Sequence, residues 1–67
     1  MSLTLKAARI NAGLKQTEAA AKLDVSVDTL SNWERGKTYP DVPQLKQIED
    51  LYGVEYRDII FCLNTSV

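Results

Sequence analysis

The chain has no histidine, one cysteine, two prolines and three glycines in 67 residues. The lone cysteine, Cys62, excludes an intramolecular disulfide. With no histidine and no second cysteine, the residues that would build a zinc site are missing too, and no metal or other cofactor is expected. No Gly-rich phosphate loop is present, and the adjacent carboxylates Glu49 and Asp50 fall side by side on a solvated helix face instead of converging across a cleft. An enzyme is therefore excluded on residue chemistry. No apolar run approaches the roughly 20 residues of a membrane helix, and no basic-then-apolar leader opens the chain, so a cytoplasmic protein is expected.

What remains is one small domain, 1–67, near the lower size limit for folding without staples. Apolar residues make up 45% of it, enough for a core built by helix packing. The net charge of −1 conceals an asymmetry. Up to Lys37 there are six basic and four acidic side chains, net +2; beyond it two basic and five acidic, net −3. That distribution fits one face turned towards phosphates and another turned away.

The organising stretch runs from Gln16 to Gly36. Ala19, Ala20 and Leu23 give a first helix its apolar face, and Leu30 and Trp33 give a second helix another, three residues apart. The link between them, K-L-D-V-S, is too short for side-by-side antiparallel packing, so the helices should cross steeply over the small alanines. This is a helix-turn-helix over about 16–35, which offers its second helix to the DNA major groove.

Around it, the spacing predicts three more helices. Ser2 or Thr4 caps a first, ending near Ala12, with Leu5, Ala8, Ile10 and Ala12 as its apolar positions; Met1 to Leu3 is a loose start. Gly13 ends that helix and Leu14 folds back onto it. Lys15 occupies a cap position without a capping side chain, while Glu18 suits the helix dipole and is assigned no contact. Asp24 falls in the turn between the second and third helices. Ser26 caps the third helix, about Val27 to Glu34, and Thr29 should pack against Ala20. Asp41-Val42-Pro43-Gln44 has the pattern of a capping box opening a fourth helix to Tyr52, whose inward stripe is Leu45, Ile48, Leu51 and Tyr52, facing Trp33. A fifth helix, about Tyr56 to Leu63, carries Tyr56, Ile59, Ile60 and Leu63 on one stripe and Phe61 on another. Cys62 there reads as a small buried or interface residue, and Asn64 to Val67 as a short tail with no second domain after it.

Arg9, Gly13-Leu14, Gln16, Glu18, Ala20, Leu23, Val25-Ser26, Leu30, Trp33-Glu34, Gly36-Lys37, Pro40, Leu51, Gly53-Val54 and Ile59 together carry a resemblance over residues 5 to 61. The chain resembles the lambda Cro/C1 repressor family, also called the XRE family. The resemblance implies an all-α, compact five-helix DNA-binding domain with the helix-turn-helix at its second and third helices. It implies that Arg9 pairs with Glu34 and that Gln16 reaches a DNA phosphate; an ordinary exposed first-turn glutamine is the rival for Gln16. It implies that Val27, Asp28, Ser31, Asn32 and Arg35 face the groove, and that Asp24 holds a left-handed turn position where the family usually has glycine, a conformation aspartate tolerates at some cost.

By residue chemistry, Asn32 can pair bidentately with adenine, Val27 can touch a thymine methyl, and Asp28 can accept from cytosine N4 or adenine N6. Asp28 can equally serve only the start of its helix. The base-reading set is thus Val27, Asp28, Ser31 and Asn32, and the phosphate set is Gln16, Ser26, Arg35 and Lys37. In this family the last helix often makes a two-fold contact, so a homodimer through it and a palindromic double-stranded operator are expected. The expected function is a sequence-specific transcriptional regulator, a small repressor of phage, prophage or stand-alone bacterial kind. The alternative is a protein-interaction module on the same fold, antitoxin-like or adaptor, which the acidic second half and apolar last helix would suit.

Overall fold

The computed structural model describes residues 3–60. Among them are four helices: α1 (Leu5–Asn11), α2 (Gln16–Lys22), α3 (Val27–Arg35) and α4 (Val42–Tyr52). A 3-10 turn follows at Tyr56–Asp58. The fold is all-α apart from one short pairing, in which β1 (Leu3–Thr4) lies parallel to β2 (Ile59–Ile60), Leu3 opposite Ile59.

That pairing corrects two expectations. Leu3 is not a loose start. The helix expected over Tyr56 to Leu63 is absent across 56–60, so the five-helix count is not met and no dimer contact through a helix there is supported. The backbone at Ile59 is extended, φ −95 and ψ 127, where a β-branched side chain is at ease. Pairing with β1 buries Ile59 and ties the two ends of the described chain together. Tyr56, placed on the same apolar stripe, is 54% exposed. The parts of that reading that concern Phe61, Cys62, Leu63 and the tail, and the cap option at Ser2, lie outside the described residues.

Helix starts follow local chemistry closely. Thr4 Oγ1 accepts the Ala7 N–H (3.1 Å), and Ser26 Oγ accepts the Thr29 N–H (3.0 Å). Asp41 and Gln44 form the reciprocal box: Asp41 Oδ1 accepts from the Gln44 N–H and Gln44 Oε1 from the Asp41 N–H. Lys15 is the exception, since an ammonium has no acceptor to offer. Half of a box survives there, because Glu18 Oε1 accepts the Lys15 N–H at 2.8 Å, a contact the sequence reading did not assign.

Helix ends share one geometry. An N–H just past each helix bonds back to the carbonyl five residues earlier, in α1 (Leu14 to Arg9 O), α2 (Val25 to Ala20 O), α3 (Lys37 to Asn32 O) and α4 (Val54 to Glu49 O). Each such ending needs one residue in the left-handed region. Three have glycine; in the turn between α2 and α3 it is Asp24, at φ +58.

The core comprises Leu5, Ala8, Ala19, Ala20, Leu23, Leu30, Trp33, Ile48, Tyr52 and Ile59. α2 packs most extensively on α3, and α1 touches both α3 and α4. Trp33 and the α4 residues Ile48 and Tyr52 thus share one core, with α1 against both helices. Three expected apolar positions move outward: Ile10 is 57% exposed, Ala12 is exposed too, and Leu45 is only half-buried and stands outside the core cluster. In α1 the inward positions are 5, 8 and 9, so Arg9 occupies the slot and Ile10, next along, faces away.

Candidate nucleic-acid interface

α3 is two-sided. Leu30 and Trp33 are buried at 0% and 3% exposure. Val27, Asp28, Ser31, Asn32 and Arg35, spaced i, i+1, i+4, i+5 and i+8, share the other side. Val27, Asp28 and Arg35 are exposed; Ser31 and Asn32 are half-buried. Nothing in the described residues covers this ridge.

Behind the ridge, an ionic network holds α3 to the first two helices. Arg9 Nε donates to Glu34 Oε2 at 2.7 Å, Nη2 to Glu34 Oε1 at 3.3 Å, and Nη1 to the Leu14 carbonyl at 3.0 Å. Gln16 Nε2 adds a bond to Glu34 Oε1 at 3.2 Å. Arg9 is 7% exposed, and its hydrogen bond to Glu34 holds the guanidinium charge more firmly than usual. Three helices thus meet at one carboxylate: α1 through Arg9, α2 through Gln16, α3 through Glu34 itself. Tyr52 is also buried, and its hydroxyl has no hydrogen-bond partner among the described residues. Burial pushes its pKa up to about 12; the negative charge of Glu34 adds to the rise and Arg9 opposes it.

The four phosphate candidates differ in what they have to offer. Lys37 is exposed, with no ion-pair partner among the described residues. Arg35 is exposed and donates from Nη2 to Asn32 Oδ1 at 3.3 Å, leaving its other N–H groups available. Gln16 is half-buried, with one amide hydrogen committed to Glu34 and a second left to donate elsewhere. Ser26 has spent its hydroxyl twice: it accepts from the Thr29 N–H and donates to Thr29 Oγ1 at 2.9 Å. Reaching a phosphate with that hydroxyl would mean giving up Thr29. In the base-reading set, Asp28 is exposed in the first turn of α3, where a carboxylate suits the dipole.

The family model of the helix-turn-helix matches residues 5–59, which takes in every described helix and the Arg9–Glu34 brace. The chain belongs to the Cro/C1-type helix-turn-helix family. Two curated relatives agree. The HTH-type transcriptional regulator ImmR of Bacillus subtilis (strain 168) is 46% identical over 50 residues, covering 75% of this chain and 39% of that protein. The HTH-type transcriptional regulator DdrOP3 of Deinococcus deserti is 32% identical over 56 residues, covering 84% of this chain and 43% of that protein. The chain therefore spans about two fifths of the length of the curated relatives it matches. No solved structure matches.

As a Cro/C1-type domain, the chain brings together most of the expected groups: 27, 28, 31, 32 and 35 on one ridge, with Lys37 just beyond its end. Besides the Glu18–Lys15 contact, two side-chain bonds at the site were missed in the sequence. The Gln16–Glu34 bond joins residues 18 apart and leaves no local pattern to read. The Asn32–Arg35 bond did leave one, because i, i+3 neighbours on a helix touch.

Proposed function

We propose that this domain is a sequence-specific double-stranded DNA-binding module of a transcriptional regulator, reading the major groove with α3. The observation that carries this reading is the uncovered ridge of α3, polar except for Val27, backed by a core face and by a buried ion pair that fixes its direction. Val27, Asp28, Ser31 and Asn32 meet base edges, and Gln16, Arg35 and Lys37 meet phosphates on either side, with Ser26 a contributor only if it releases Thr29. Phosphate contacts set register and base contacts set sequence. The names of the relatives, both transcriptional regulators, support the same reading.

The negative total charge argues for a modest non-specific component, because few cations face the groove. Affinity then leans on correct base contacts more than on backbone attraction. Selecting bound duplexes from a random pool tests the proposal. Enrichment of a defined sequence is expected; a pool that stays random at low salt would overturn it. A palindromic consensus would show two copies bound together, and a single half-site would show that one suffices.

A further inference from the structure

We infer that Arg35 is a positioning residue for Asn32, fixing which end of its amide meets the base; this rests on α3 being the base-reading helix. Arg35 Nη2 donates to Asn32 Oδ1 at 3.3 Å, one helical turn apart on the same ridge. A terminal amide has a broad, roughly two-fold torsion, so a lone asparagine presents its oxygen and nitrogen almost interchangeably. A charged donor on the oxygen breaks that symmetry, because charge-assisted hydrogen bonds are the strong ones.

The carbonyl oxygen has two lone pairs. Arg35 uses one, and the other is left to accept from a base. Beside it, Nδ2 keeps both of its N–H groups. The outward pattern is one acceptor next to one donor, which matches adenine, with its N6 amino donor and N7 acceptor. Guanine offers two acceptors there and cannot satisfy Oδ1. Turning the amide end for end to suit another base gives up the guanidinium bond. Arg35 carries five N–H groups, so the rest stay available for a phosphate. One side chain then joins backbone register to base choice, and an off-register complex weakens both.

The test uses the selected duplex with each base pair replaced in turn, bound by the unaltered protein, Asn32→Ala and Arg35→Met, with circular dichroism confirming the fold of each. Asn32→Ala identifies the base pair that residue 32 reads, where the unaltered protein should favour adenine by about tenfold or more. Arg35→Met should lower affinity overall, reduce the salt slope by about 0.9, and also cut the adenine preference at that one base pair to less than about threefold. If Arg35→Met weakens all sequences equally and preserves the preference, the positioning role is overturned while base reading by α3 stands. If Asn32→Ala leaves preference unchanged at every base pair, base reading by Asn32 fails and the inference falls with it.

Discussion

Removing the carboxylate of Glu34 should do more damage than removing both halves of its ion pair. In Glu34→Ala the Arg9 guanidinium, 7% exposed, keeps only the Leu14 carbonyl as partner, and the Gln16 amide loses its acceptor as well. Stranding one member of a buried pair costs about 3–5 kcal/mol. A domain of this length has a total stability of roughly 3–10 kcal/mol at the usual 0.05–0.15 kcal/mol per residue. The single variant should therefore lose about a third of its stability or more. The double variant Arg9→Met, Glu34→Leu removes both charges and keeps apolar volume in their place, which for buried pairs is often neutral or favourable. It should be clearly more stable than either single variant. Urea unfolding followed by the emission of Trp33, the chain's only tryptophan and a core residue on the same helix as Glu34, reports Glu34→Ala and the cycle of unaltered protein, Arg9→Met, Glu34→Leu and their double variant. The midpoints should shift while the m-values hold. The reasoning is refuted if the double variant loses the sum of the single losses, or if Glu34→Ala costs less than about 1 kcal/mol.

Asp24 sits at φ +58, at the carboxyl end of α2 where its charge also opposes the helix dipole, so Asp24→Gly should raise the melting temperature by a few degrees; a lower value would contradict the turn argument. Lys15 has φ −77 and ψ 159, almost the dihedrals of Ser26, and Glu18 already supplies the return bond. Lys15→Ser should therefore complete a capping box and add about 1 kcal/mol, measured by urea midpoint, and no gain would refute it. The Tyr52 hydroxyl has no partner to lose among the described residues, so Tyr52→Phe should be neutral or stabilising at pH 7. Its folded pKa is raised from 10.0 to about 12, so the contribution of the protonated phenol is complete below pH 10 and fades as pH rises through about 12. Stability above pH 10 should accordingly fall less steeply in Tyr52→Phe than in the unaltered protein, and identical pH profiles would refute the buried-phenol assignment.

Much of this architecture could be read from residues acting on their immediate neighbours. Thr4, Ser26 and the Asp41–Gln44 pair cap helices because their oxygens reach an N–H three residues on. Asp24 could be placed in the left-handed region from the family resemblance, which puts a glycine-type turn position there, and it stands at φ +58. The face of α3 followed from Leu30 and Trp33 alone. What escaped depends on distant partners. Ile10 is apolar, yet the inward place next to it went to Arg9, since a buried charge with Glu34 waiting opposite satisfies the position. Residues 56–60 have a helical apolar spacing, but extended backbone at Ile59 gains a partner in Leu3, some 56 positions earlier in the chain. Side-chain bonds within the site, such as Gln16 to Glu34, depend on helix crossing and had no counterpart in composition or spacing.

The most direct test of the central idea is a chemical-shift titration of the nitrogen-15-labelled domain with a selected duplex. The account predicts the largest changes at Val27, Asp28, Ser31, Asn32, Arg35 and Lys37, including the side-chain amide of Asn32. Changes concentrated instead on the exposed faces of α1 or α4, around Ile10 or Val42, with the α3 ridge unmoved, would contradict it.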